Sequence, residues 1–307
     1  ILVLFIVGLH FMPWLQIRIH TTPDHVPAFE DTLLDCGALV VTFEDVHDDP
    51  VYEPELNTTP LWKNTKITGL FEADADIEHI RPVVEHKATS LGETDIDMKI
   101  EILEDKDWER EWMDSYHPIQ FGKRLWVCPS WREVPDPDAV TLMLDPGLAF
   151  GTGTHPTTAL CLQWLDSIDC ENKTIIDYGC GSGILGIAGL LLGANNMVGI
   201  DIDPQAVQAT EANAQRNHID PSRIDIKLPP YESDLQADIV VANILAGPLA
   251  HLAPTISALV KTGGQLALSG ILANQAEEVI QAYQEWFTIE SITEREEWVR
   301  IVGTKNA

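Results

Sequence analysis

Residues Thr174–Asp203 read TIIDYGCGSGILGIAGLLLGANNMVGIDID. A short apolar run, TIIDY, meets glycines at alternate positions 179, 181 and 183. An apolar stretch with helical spacing follows and closes on Gly193, and a second apolar run ends at Asp201. The pattern is strand, glycine turn, helix, strand. Glycine lets the backbone bend sharply and approach a ligand without a Cβ in the way. In a doubly wound sheet the tips of the first two strands are neighbours, so an acid at the second tip can take both hydroxyls of a ribose. Gly179, Gly181 and Asp201 are therefore candidate residues of a nucleoside crevice.

The alternation continues downstream. PQAVQATEANAQRN is an amphipathic helix with Pro204 at its first position. RIDIKL and ADIVVANI are strands, LAGPLAHLAPTISALV a helix, GGQLALSGI a strand and NQAEEVIQAYQEW a helix. FTIESITE and EWVRIVGTK follow with no helix between them. Strands alternating with helices predict a parallel, doubly wound α/β sheet, here closed by an antiparallel hairpin.

Two chemistries compete for the crevice. Residues 181–186, GSGILG, satisfy the dinucleotide pattern of a dehydrogenase. Against it, Asp177 sets a carboxylate just before the first glycine, where a pyrophosphate is repelled and a cation welcomed. The closing hairpin is foreign to a dinucleotide fold, and the fourth strand ends on Asn243. Asn243 is either a ligand residue or a cap of the next helix. Cys180 reads as a small filler in the turn and Asp203 as the N-cap before Pro204. Upstream, LDPGLAFGTGTHPTT (144–158) is too rich in glycine, proline and threonine for a plain connector. Gly151 and Gly153 permit close approach to a ligand, and Thr158 offers a hydroxyl at the start of a helix. His155 reads as a loop-fixing residue rather than a catalytic base.

The first hundred residues alternate as strand, helix, two strands, helix, strand from WLQIRI to DMKIEILED. That order predicts a ferredoxin-like α+β unit. The chain carries 48 acidic and 19 basic residues, a formal charge of −29. Such a chain repels nucleic acid and attracts a basic partner. The five cysteines include no C-x-x-C pair, so no metal site is expected, and a reducing cytoplasm fits. ILVLFIVGLHF (1–11) is too short to span a bilayer. It reads as an upstream extension, with Met12 as the natural start.

Asp177, the G-x-G-x-G run and Asp201 together resemble the class I S-adenosylmethionine-dependent methyltransferases. Adding the 144–158 loop, GIDIDPQAVQATEANAQRN, VVANILAGPL, EDKDWEREWMDSYHPIQFG and RLWVCPSWR, the chain from Met12 onward is similar to the PrmA family. Members methylate protein eleven of the large ribosomal subunit (L11). The resemblance implies a Rossmann-like seven-stranded sheet preceded by the ferredoxin-like domain. It divides the chain into 12–104 for substrate recognition, 105–120 as a linker helix and 121–307 for methyl transfer. It implies S-adenosyl-L-methionine as cofactor, held by Thr158, Gly179, Asp201 and Asn243, with Gly181 added on loop geometry. It further implies lysine side chains and the N-terminal amine of L11 as acceptors, Asn243 as an amine-positioning group, and a cytoplasmic monomer. A methyltransferase for another basic protein or a small molecule, and a non-catalytic nucleotide-binding module, are the alternatives.

Overall fold

A computed structural model describes residues 14–46, 61–93, 96–103, 113, 116–145, 154–231 and 234–307. The 1–11 extension, most of the 105–120 linker, and Gly151 and Gly153 lie outside the described residues. The chain divides into two compact units, 1–115 and 116–307.

In the larger unit, β8 (Thr174–Tyr178) is central because its apolar residues are buried on both faces. It pairs in parallel with β9 (Asn196–Ile200) and with β11 (Ala237–Asn243). The sheet is completed by β10 (Ile224–Lys227), β12 (Val260–Leu272), β13 (Phe287–Arg295) and β14 (Trp298–Lys305), in the order β10-β9-β8-β11-β12-β14-β13. β14 runs antiparallel to both of its neighbours, which is the expected closing hairpin. Successive strand residues point to opposite faces. Ile175, Ile239 and Val241 therefore pack with α3 (Pro156–Ser167) and α4 (Ile184–Leu191). Ile176, Val240 and Ala242 pack on the other face with α6 (Ala246–His251), α7 (Ala253–Ala258) and α8 (Ala276–Tyr283). The connection order reverses between β8 and β11, and such a switch point opens a crevice at the carboxyl ends of the strands.

Two features differ from the sequence reading. The stretch 245–260 forms two short helices, not one, with Leu252 at the break. Pro254 has no N–H to give the carbonyl four residues back, so the first helix cannot continue through it. The segment around RLWVCPSW belongs to a separate three-stranded sheet of β5 (Ile119–Phe121), β6 (Leu125–Cys128) and β7 (Val140–Met143). Asp166 of α3 fastens its β5–β6 turn by accepting the amides of Lys123 at 2.5 Å and Leu125 at 3.1 Å.

The smaller unit runs β1 (Trp14–Thr21), α1 (Val26–Asp35), β2 (Val40–Asp45), β3 (Thr65–Glu72), α2 (Ile77–Ser90), β4 (Met98–Leu103). Its antiparallel sheet has the ferredoxin-like order β2-β3-β1-β4. Leu15, Ile17, Ile19, Ile67 and Phe71 from the sheet bury against Phe29, Leu33, Ile80 and Val84 from the helices. At ~1.5–3 kcal/mol for each fully buried large apolar side chain, this cluster is the unit's main source of stability. Gly37, at φ +96°, ends α1 in the left-handed conformation expected of a helix stop.

Candidate functional site

A cavity of about 400 Å³ lies at the carboxyl ends of β8, β9 and β11. Thr158, Gly179, Gly181, Asp201 and Asn243, the five residues nominated from sequence, all line it, as does Asp177. They come from three strand ends and one helix start, so only the folded sheet brings them together.

The glycine turn is held from below. The amides of Gly179 and Cys180 donate to the Ile200 carbonyl at 2.7 and 3.1 Å, which stitches the loop to the end of β9. Gly179 has φ +74°, and a Cβ there would lie 2.4 Å from Ile244 Cγ2. The loop thus packs closely against the residue that follows Asn243. Asp201 accepts the Gly181 amide on Oδ2 at 2.9 Å and the Asp203 amide on Oδ1 at 3.0 Å. A carboxylate offers about four lone-pair positions, so each oxygen keeps room for one further donor.

Asp177 lies deeper than the sequence implied, beneath the loop rather than on its surface, with 1% of its area exposed. Its Oδ2 accepts the Gly186 amide at 2.8 Å, in the first turn of α4. Burial raises its pKa to about 7, opposed by that amide and reinforced by Asp201. A raised carboxylate contributes stability that is complete below its unfolded pKa of about 3.9 and is lost as pH rises through the folded value. The expected result is a fall in unfolding free energy of a few kcal/mol between about pH 4 and 7. Asp177→Asn keeps a carbonyl for Gly186 and should flatten that slope. Denaturant unfolding of both proteins at several pH values checks this, and parallel curves would reject it.

Asn243 Nδ2 donates to Thr158 Oγ1 at 3.3 Å, while its Oδ1 is buried with no protein partner. A buried carbonyl without a donor costs roughly 1–3 kcal/mol, and this one belongs to a residue that lines the cavity. Asn243 does not cap the next helix, because Leu245 occupies that position. His155 does cap α3. Its Nδ1 accepts the Thr157 amide at 3.3 Å, its ring stands edge-on to Trp298 at 4.9 Å, and burial lowers its pKa. That is the loop-fixing role. Asp203 caps α5 (Pro204–Arg216) through the Gln205 amide at 2.8 Å. The Cys180 thiol is pushed up to about 12 by burial and by Asp177, so it is no nucleophile at neutral pH.

Sequence reading missed Tyr178, Ile202 and Pro229 in the cavity wall. Ile202 is 86% exposed, an apolar ledge beside Asp201. Its signal was present: an isoleucine between two strand-tip aspartates has no core to join. Tyr178 is held protonated by burial and by its hydrogen bond with the Tyr231 hydroxyl.

The sequence profile of the ribosomal protein L11 methyltransferase (PrmA) family matches residues 13–306. The chain belongs to the PrmA family. It is similar to the ribosomal protein L11 methyltransferase of Marinomonas sp. (strain MWYL1), with 92% identity over 96% of this chain and all of the relative. The L11 methyltransferase of Enterobacter sp. (strain 638) is 57% identical over the same shares. Among solved structures, the L11 methylase of Lactobacillus delbrueckii subsp. bulgaricus aligns with TM-score 0.56 and 33% identity, over 62% of this chain and all of that one. The PrmA match spans both units, so membership rests on the whole arrangement and not on the glycine motif alone.

Proposed function

We infer that this chain is an S-adenosylmethionine-dependent methyltransferase acting on amines of ribosomal protein L11. The observation that carries the reading is the buried, unpartnered Asn243 Oδ1 in a cavity shared with Asp201 and the glycine turn. The residues fit a cationic nucleoside. Asp201 suits the ribose hydroxyls, Ile202 offers an apolar surface to the base, and the close-packed turn at Gly179 admits no side chain. Thr158 and Asn243 stand at the opposite wall. Among the described residues the wall holds carboxylates and carbonyls but no lysine or arginine, which suits a sulfonium and not a pyrophosphate.

When bound, S-adenosylmethionine supplies a methyl group made electrophilic by its sulfonium, open to an amine lone pair. The chain's task is to present that lone pair. A lysine of pKa about 10.4 is mostly protonated at pH 7, and freeing its lone pair costs roughly 4–5 kcal/mol. A peptide α-amine, at about 7.7–8.0, costs far less. No histidine lines the cavity among the described residues, and His155 Nδ1 is committed to the α3 cap. Proton loss to water followed by desolvation against Leu245, Pro248 and Leu252 meets the need without a dedicated base. Asn243 Oδ1 then accepts an N–H of the amine and aims the lone pair, so that alignment supplies most of the rate.

The region 12–104 serves substrate recognition, 105–120 links it to the transfer domain 121–307, and the acidic surface attracts a basic protein rather than RNA. The enzyme works as a monomer in the cytoplasm. The test is methyl-labelled S-adenosylmethionine incubated with the purified chain and unmethylated large-subunit proteins, resolved by mass. Label on one small basic protein is the expected result. No label despite measured cofactor binding would keep the cofactor and discard the L11 substrate.

A further inference from the structure

Helix α5 carries a row of polar residues that the proposed chemistry does not use. Thr210, Asn213, Arg216 and the C-cap Asn217 recur at spacings of three and four, which places them on one face. Such residues ordinarily face water. Here Thr210 and Asn213 are buried, and the row is bonded to the glycine turn on one side and to Met143 and Asp145 on the other.

At one end the row grips the glycine turn. Thr210 Oγ1 donates to the Gly181 carbonyl at 3.0 Å, and Asn213 Nδ2 donates to the Ser182 carbonyl at 2.8 Å. These bonds fix the orientation of the turn, whose Gly181 amide points the other way, onto Asp201. At the other end the row grips the entry to the 144–158 segment. Asn217 pairs with the Met143 backbone as a strand would, accepting its amide at 2.7 Å and donating to its carbonyl at 2.8 Å. Arg216 Nη2 lies 3.2 Å from Asp145 Oδ2. The two ends are joined, because Arg216 Nη1 donates to Asn213 Oδ1 at 2.6 Å. A continuous chain thus runs Asp145–Arg216–Asn213–Ser182.

We propose that this face of α5 is a positioning device that couples the Met143–Asp145 backbone to the glycine turn, so that the turn's wall of the cofactor crevice is held from outside the cavity. Arg216 and Asn217 are positioning residues in this scheme. Neither touches the cavity, and each acts through a loop. The proposal rests on the cofactor reading above.

The test uses the full chain. Amide hydrogen exchange is measured on the cofactor-free protein, and S-adenosylmethionine binding by titration calorimetry. Arg216→Met removes the central link and Asn217→Ala the distal one. Both variants should exchange faster in peptides covering 178–186 as well as in those covering 140–145, although the hydrogen bonds of Asn217 among the described residues go to Met143 and its own helix. Cofactor Kd should rise about fivefold to twentyfold, while Arg216→Lys, which keeps the charge toward Asp145, should recover part of the loss. The combined variant Arg216→Met with Asn213→Ala should weaken binding by less than the product of the single effects, as members of one network do. Faster exchange confined to 140–145 with Kd within twofold of the parent would overturn the coupling. If the parent chain itself fails to bind S-adenosylmethionine, the cofactor reading falls and takes this proposal with it. Should a variant fail to fold, Asp145→Asn probes the same chain from its solvent end and must show the same distant exchange.

Discussion

Asp201→Ala is expected to raise the dissociation constant for S-adenosylmethionine by about a hundredfold or more. The carboxylate stands at the end of β9 with one lone pair of each oxygen already taken by the amides of Gly181 and Asp203. Two ribose hydroxyls would complete it. A hydrogen bond to a charged acceptor is worth about 1.5–3 kcal/mol, so two of them account for roughly 3–6 kcal/mol. The substitution also releases the Gly181 amide and so loosens the turn that shapes the crevice. Asp201→Asn keeps the shape and one acceptor but loses the charge, and should fall between, near tenfold. Titration calorimetry on the three proteins decides. A Kd within threefold of the parent for Asp201→Ala, with a lowered Tm, would make Asp201 a loop anchor and nothing more.

The parts of this site that the sequence made legible are those where the backbone itself needs a particular residue. Gly179, Gly181 and Gly183 adopt φ of +74°, +52° and +76°, a region in which glycine stands almost alone, so their spacing was readable without any tertiary knowledge. Asp201 was legible because a strand tip follows from the apolar run before it. Asp203 was likewise a local decision, a helix cap. The strand–helix alternation gave the doubly wound sheet and its closing hairpin, since hydrophobic period and turn residues are both short-range signals.

What escaped reading depends on juxtaposition. Asp177 read as a carboxylate that meets a cationic ligand ahead of the loop, yet it sits under α4, since only packing determines which side of the turn closes over it. The α5 row looked like the solvent face of an amphipathic helix. Its use is set by a turn and a strand end from elsewhere in the chain, 29 residues from Thr210 at Gly181 and 74 residues from Asn217 at Met143. The strands Ile119–Phe121 and Val140–Met143 are too short to show a period, and each exists because β6 lies between them. The break at Leu252 was visible as Pro254 but was outweighed by the apolar spacing around it.

Gly270→Ala should be the most damaging single methyl that can be added near this site at a residue that does not itself line the cavity. Gly270 lies in β12 where the pairing with β14 slips between Leu268 and Ile271, at φ +84°. A Cβ there would stand 2.3 Å from the Ile244 carbonyl oxygen, 2.7 Å from its carbon and 3.1 Å from its nitrogen. These are backbone atoms, so no rotamer change relieves the overlap. Ile244 cannot retreat far, because its Cγ2 already fills the space above Gly179. Asn243 is the preceding residue, so any shift of Ile244 carries the Oδ1 acceptor with it. The left-handed φ costs about 1 kcal/mol for alanine, and overpacking typically adds 1–3 kcal/mol. For a unit of this size each kcal/mol lowers Tm by about 2–4 °C, so a fall of roughly 5–15 °C is expected. Displacement of an aligning group by an ångström can cost about a hundredfold in rate. The variant should therefore lose at least tenfold in kcat at saturating cofactor, with Kd for S-adenosylmethionine affected much less than by Asp201→Ala. Scanning calorimetry and single-turnover methyl transfer measure the two effects separately. A variant with Tm within 2 °C of the parent and full kcat would mean that the β12 bulge does not hold Ile244 in place. Loss of Tm with kcat preserved would mean that Asn243 is held from the Thr158 side instead, through the bond to its Nδ2.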